Sequence, residues 1–202
     1  MKIKQFIATY NNEFQINKCL DSIFNSLNKY ELSILEIFII NNHSNLNIHK
    51  EYLGKVKILN NELRPDFSTG HLSRTWNQSI INGFKDLKNP DCDILITNHD
   101  DTKFVDNYIE KLINYHKTYD FITFGRGDNF ISYTVNAVKK IGLWDERFCN
   151  IGHHEQDYFL RANKFLKDKS INDSDFMIVN PIDSLLLYYP AGFERKEEYS
   201  IK

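Results

Sequence analysis

Gln5-Phe6-Ile7-Ala8-Thr9 and, further on, Ile34-Leu35-Glu36-Ile37-Phe38-Ile39-Ile40 are short, β-rich apolar runs with polar residues at their carboxyl ends. Between them Ile16, Leu20, Ile23, Phe24 and Leu27 recur at helical spacing. Strand, helix and strand in that order predict a right-handed parallel crossover. The same alternation continues outward. Val56 to Leu59 reads as a third strand, and Leu72, Trp76, Ile80, Ile81 and Phe84 mark an amphipathic helix. Asp93 to Thr97 reads as a buried strand that stops abruptly at Asn98-His99-Asp100-Asp101. Val105, Tyr108, Ile109, Leu112 and Ile113 give another helix, and Phe121 to Phe124 another strand. The expected class is α/β, with a mostly parallel central sheet flanked by helices.

The second half is less regular. Phe130 to Tyr133 reads as a strand and Val135 to Ile141 as a short helix closed by Gly142. Phe159, Ala162 and Phe165 place a helix from Glu155 to about Phe165, and Met177 to Val179 and Leu185 to Tyr189 read as late strands. No repeat or linker divides the chain, so residues 1–193 are expected to form one domain. Residues 194–202 are expected to be a charged, mobile tail.

Composition narrows the function. The 202 residues are 42% hydrophobic and 26% charged, the balance of a globular protein with a substantial core. A net charge of −2 gives no pull toward nucleic acid or an anionic membrane. The apolar runs are strand-sized, so no transmembrane segment is expected. Met1-Lys2-Ile3-Lys4 is basic, but Gln5, Thr9, Asn11 and Asn12 interrupt any signal-peptide core. Cys19, Cys92 and Cys149 are widely spaced and read as reduced thiols of a cytoplasmic protein. Accordingly, the Asn-x-Ser/Thr matches at Asn42, Asn77 and Asn172 carry little weight as glycosylation sites.

In open α/β sheets, ligands collect beyond the carboxyl ends of the parallel strands. Here those ends read Thr9-Tyr10-Asn11-Asn12, Asn41-Asn42-His43-Ser44 and Asn98-His99-Asp100-Asp101. Each is also ordinary turn chemistry, but their recurrence at successive strand ends favours a ligand site. Adjacent carboxylates such as Asp100 and Asp101 repel unless a cation or proton relieves them, and oxygen ligands suit Mg²⁺ or Mn²⁺. The bland alternative is a solvated turn, with Asp101 or Thr102 capping the next helix. A second cluster is Gly152-His153-His154-Glu155-Gln156-Asp157. Glu155 or Asp157 can serve as general base, and His153 or His154 can bind metal or phosphate. Its plain alternative is an acidic first helical turn. The spacing excludes HExxH; the chain also lacks GxSxG and GxxxxGK[ST], and Gly125-Arg126-Gly127-Asp128 lacks the GxGxxG spacing. Arg126-Gly127-Asp128 reads as coincidence and Trp76 as core.

Taken in order, these motifs resemble the family 2-like glycosyltransferases, which share the GT-A fold. Ala8-Thr9-Tyr10-Asn11 is similar to the family's first strand turn, and Asn41-Asn42-His43-Ser44 to its second. Phe67-Ser68-Thr69-Gly70 through Arg74, Asn77 and Ile80 resembles its loop and helix, and Asn98-His99-Asp100-Asp101 stands at its DxD-type motif. Gly142-Leu143-Trp144-Asp145-Glu146-Arg147-Phe148 is similar to Gly-x-Phe-Asp-Glu-Arg-Phe, and His154-Glu155-Gln156-Asp157-Tyr158-Phe159-Leu160-Arg161 to Glu-Asp-x-Asp-Leu-x-x-Arg. Asn41 replaces the usual base-contacting carboxylate, Asn98 the first Asp of the DxD, and His154-Glu155 the usual Glu-Asp.

The resemblance implies inverting transfer of a sugar from a nucleotide-diphosphate donor to a glycan or other hydroxyl acceptor. It implies Mn²⁺ or Mg²⁺ held by Asp100, with Asp101 and His154 as further ligands. Glu155 would be the base, with Asp157 second. Thr9, Tyr10, Asn11, Asn41, Arg74, Asn98, His99 and Asp100 would line the nucleotide-sugar pocket, with Arg195 and Lys196 of the tail closing over the phosphates. The rival from another class is a catalytically weak GT-A-like module that binds nucleotide or glycan without turnover. A sugar-phosphate nucleotidyltransferase would need a Gly-rich basic first turn, and a Rossmann oxidoreductase a dinucleotide fingerprint.

Overall fold

The computed structural model describes residues 1–42, 45–61, 71–124, 128–148, 152–166, 176–178 and 186–188. The expectations placed on His43, Ser44, the 67–70 loop, Gly125 to Gly127, Cys149 and the tail with Arg195 and Lys196 lie outside these residues.

The chain begins with β1 (Ile3–Thr9), α1 (Glu13–Ser26), α2 (Lys29–Ile34), β2 (Leu35–Asn42), β3 (Val56–Asn61), α3 (His71–Phe84) and β4 (Ile94–His99). It continues with β5 (Thr102–Phe104), α4 (Tyr108–His116), β6 (Phe121–Phe124), β7 (Phe130–Thr134), α5 (Val135–Ile141), α6 (His153–Leu166), β8 (Phe176–Ile178) and β9 (Leu186–Tyr188). The main sheet runs β3-β2-β1-β4-β7-β6-β8, and β5 pairs with β9 separately. The β3, β2, β1 and β4 neighbours are all parallel, as is β6 with β8, while β7 runs antiparallel to both β4 and β6. This is the mostly parallel α/β sheet expected from the sequence.

Successive side chains of a strand face opposite ways, which builds a core on each side of the sheet. From β1 and β4, Ile3, Ile7, Ile94 and Ile96 pack with Ile16, Leu20 and Ile23 of α1 and with Ile109 and Leu112 of α4. On the other face, Phe6, Ala8 and Leu95 pack with Trp76, Ile80 and Phe84 of α3, Val138 of α5 and Tyr158 of α6. Helix α3 lies close on β4, for a Cβ at Gly83 would come within 2.5 Å of Leu95 Cδ1.

Two local features depart from the sequence reading. Helix α2 has no counterpart in the apolar periodicity of the sequence. It is nucleated by a capping box in which Asn28 Oδ1 accepts from Glu31 N–H at 3.0 Å and Asn28 N–H donates to Glu31 Oε2 at 2.9 Å. After Asp101 the chain forms β5 rather than a helix, and α4 starts later, with Asn107 at its N-cap. Capping of the next helix by Asp101 or Thr102 is therefore ruled out. Gly142 closes α5 as expected, with φ +86° and its N–H on Val138 O at 2.9 Å.

Candidate active site

Parallel pairing brings the strand ends together. Thr9 is in register with Asn41, which is in register with Asn60, while Ala8 faces His99 across β1 and β4. Asp100 N–H donates to Ala8 O at 3.1 Å, and Thr9 Oγ1 donates to Asp100 Oδ2 at 2.6 Å. The turns after β1 and β4 thus form one corner, with Thr9 and Asp100 both buried. Asn41 is buried and donates to Asn60 Oδ1 at 3.0 Å. Tyr10 is half-buried, and the exposed Asn11 takes a left-handed φ of 48°, which Asn tolerates better than most residues. Arg74, exposed on α3, sits 3.6 Å from Glu146 Oε2. Asn77, one turn on, clamps the 142–148 segment by accepting from Trp144 N–H at 2.7 Å and donating to Trp144 O at 2.9 Å. Two of the motif regions are therefore docked on each other.

Asn98 stands apart from the pocket expected for it. Its side chain points to the opposite face of β4, where Oδ1 accepts from Gln5 Nε2 at 2.9 Å and Nδ2 donates to His99 O at 2.8 Å. Gln5 in turn accepts from Tyr108 OH at 2.7 Å. Fully buried in that network, Asn98 is a core residue, and its side chain is spent on holding β1, β4 and α4 together.

Asp100 and Asp101 are left as the carboxylates of the turn. Asp101 Oδ1 is buried with no hydrogen-bond partner among the described residues. An anionic oxygen in that state is costly, and a cation would relieve it. The donor set of Asp100 and Asp101 therefore fits a hard divalent ion.

The second half of the site meets this corner through a residue that the sequence reading dismissed. Asp128 lies in the turn before β7, and because β7 runs antiparallel to β4, that turn returns to the carboxyl end of β4. Asp128 is buried; its Oδ1 lies 3.1 Å from His99 Nε2, and its Oδ2 lies 3.1 Å from His154 Nε2 and accepts from Trp76 Nε1 at 2.6 Å. Trp76 is core, as expected, and it also serves this carboxylate. His154 and Glu155 occupy the first turn of α6, after Gly152 at φ +92°. Asp128, His154 and Glu155 each present a possible ligand atom within 4.8 Å of the others, so the metal-type group that contains His154 has Asp128 and Glu155 as its other members. His153 is exposed. Asp157 is paired through Oδ2 with Arg161 Nε and Nη2 at 2.9 and 2.7 Å, and Arg161 Nη1 donates to Ile141 O at 2.8 Å. That arrangement fastens α6 to α5.

Burial and the neighbouring Asp128 carboxylate push Glu155 up to about 7, against the opposing pull of His154 and His99. Burial disfavours the charged form of His99, but Asp128, then Asp101 and Asp100, outweigh it and raise its pKa to about 9. Burial likewise acts against ionised Asp128, yet His99 and His154 hold it well below the usual carboxylate range. A carboxyl group titrating near neutrality beside an ion pair is the pattern of an acid–base site.

No protein-family model matches the chain, and no curated protein matches it in sequence. Solved structures do resemble it. Staphylococcus aureus TarS 1–349 superposes with a TM-score of 0.56 at 15% identity, over 82% of this chain and 56% of TarS 1–349. The same TarS fragment in complex with UDP gives 0.58 at 15% identity, over 82% and 55%. The mannosyltransferase PcManGT from Pyrobaculum calidifontis, in complex with GDP-Man and Mn²⁺, gives 0.56 at 11% identity, over 90% and 55%. The fold is thus the GT-A-like glycosyltransferase fold, and this chain spans about half the length of those solved chains. No described helix is long and apolar enough to cross a membrane.

Proposed function

We propose that this chain is a nucleotide-sugar-dependent glycosyltransferase that inverts the anomeric centre and works with Mn²⁺ or Mg²⁺. The observation that carries the reading is the half-buried Glu155 carboxyl, held near neutrality beside Asp128 at the same end of the sheet as Asp100 and Asp101. The structural neighbours with UDP, and with GDP-Man and Mn²⁺, support a nucleotide-diphosphate donor.

Thr9, Tyr10, Asn11, Asn41 and Arg74 receive the nucleotide, and His99 brings positive charge toward the diphosphate. Asp100 and Asp101 would hold the ion, which when bound would neutralise charge on the departing diphosphate as a Lewis acid, while His154 stands with Asp128 and Glu155 beside that corner. Glu155 takes the proton of the acceptor hydroxyl as that oxygen attacks the anomeric carbon from the face opposite the leaving group. One base and one displacement give inversion. Asp157, bound to Arg161, is the second candidate base. The acceptor is a glycan or another hydroxyl compound. The buried, unpaired thiols of Cys19 and Cys92 suit a reducing compartment, and the cytoplasm is the proposed location.

Asn98, withdrawn into the core, favours a second reading in which the site binds nucleotide or glycan without turnover. Release of nucleoside diphosphate from UDP- and GDP-sugars, with Mn²⁺ and an acceptor mixture, separates the two. Glu155→Gln is expected to keep donor binding and lose transfer. Donor binding without release in the unaltered protein would establish the module instead.

A further inference from the structure

Asp128 accepts from donors on three separate elements: His99 at the end of β4, Trp76 on α3 and His154 at the start of α6. Its side chain is 4% exposed, and a buried carboxylate persists only where its oxygens are satisfied by donors. Those donors are themselves fixed. Trp76 is fully buried, with its ring 5.3 Å from that of His99 and edge-on to it. His154 is 2% exposed and has the Trp144 ring 5.8 Å away. This carboxylate therefore bridges the end of β4 and the first turn of α6.

We infer that Asp128 is the positioning residue of the site: its carboxylate, braced by Trp76, fixes the rings of His99 and His154 and so sets where Glu155 stands relative to the Asp100–Asp101 corner. This rests on the proposed transferase reading for its kinetic consequence only. The geometry assigns each imidazole a proton on Nε2 directed at Asp128. An asparagine in this place offers one acceptor oxygen to three N–H donors, so at least one of the bonds is lost.

Nitrogen-15 spectra of the metal-free, unaltered protein test the geometry with no risk of misfolding. Slowly exchanging Nε2–H signals are expected for both His99 and His154, together with the Trp76 indole N–H. Absence of either imidazole signal overturns the inference. In Asp128→Asn, at least one of the three signals should vanish, and Mn²⁺ affinity measured by calorimetry on the protein alone should fall about 10- to 100-fold. Given transfer activity, kcat per folded site, with folded protein counted by circular dichroism, should fall by a similar factor with donor KM unchanged at saturating Mn²⁺. Unchanged Mn²⁺ affinity and kcat in the variant overturn the inference. If no nucleotide sugar is turned over by the unaltered protein, the transferase reading fails by itself, and the spectra and the Mn²⁺ titration decide the role of Asp128.

Discussion

The acid limb of the pH–rate profile follows from where Glu155 sits. An ordinary glutamate, near 4.5, is almost fully ionised at pH 6, and its kcat/KM would be flat from there upward. Burial and the Asp128 carboxylate move Glu155 to about 7, so about a tenth is ionised at pH 6 and about nine tenths at pH 8. A base that must be ionised to act therefore makes kcat/KM rise about tenfold between those values, since this parameter reports the free enzyme. The assay is nucleoside diphosphate release at donor concentrations well below KM, in buffers of constant ionic strength. Glu155→Gln should abolish the limb along with about 10²- to 10⁴-fold of the rate. Asp128→Asn removes the neighbouring negative charge and should carry the limb toward lower pH. A profile flat from pH 6 to 8, with its only inflection near that of an ordinary carboxyl, would refute the assignment of Glu155 as base.

Other expectations concern the frame. Trp144 is 3% exposed, stacks on Tyr158 at 4.1 Å and donates to Tyr133 OH at 3.2 Å, so Trp144→Ala should cost about 3–5 kcal/mol in urea unfolding. Gly142, at φ +86° and ψ −158°, occupies glycine's own region, and Gly142→Ala should cost about 1–3 kcal/mol by the same measurement. Burial lowers the His116 pKa to about 4; its partners are Tyr119 O on Nδ1 at 2.8 Å and Ser132 Oγ on Nε2 at 2.6 Å. The unfolded chain therefore binds that proton more readily. The stability contribution of His116 should be fully present above pH 6.5 and fall by up to about 3 kcal/mol as pH drops toward 4, a slope that His116→Gln should flatten.

The sequence was most legible where one periodicity ran unbroken. The β1–α1–β2 crossover, α3 and β4 each carry a single repeat of apolar residues, and each formed close to its expected bounds. Helix α2 was missed because its six residues carry too few apolar positions to show a period, and its signal was the Asn28–Glu31 cap. Strand β5 was missed because Thr102–Phe104 is too short to alternate visibly and pairs with the remote β9.

The site divides in the same way. Thr9, Asn41 and Asp100 could be placed at strand ends because parallel strands end at one edge, whereas the direction of a single side chain could not be read. Asn98 and His99 are neighbours on opposite faces of β4, one in a core network and the other on Asp128. Asp128 was set aside with Arg126-Gly127-Asp128, because that tripeptide carries no sign of the site. Its signal was topological, the return of the β6–β7 connection to the β4 end, and only the antiparallel register makes that visible.

Central to the account is that a divalent ion and a nucleotide diphosphate are taken up together at the Asp100–Asp101 corner. Melting the protein with UDP or GDP, each with and without Mn²⁺, tests this most directly. With ligand at about 100 times its Kd, the account expects about 2.7 kcal/mol of stabilisation, or a Tm rise of about 5–10 °C, that needs Mn²⁺ and is lost in Asp100→Asn. Melting curves that ignore both nucleotides whether or not Mn²⁺ is present would contradict it.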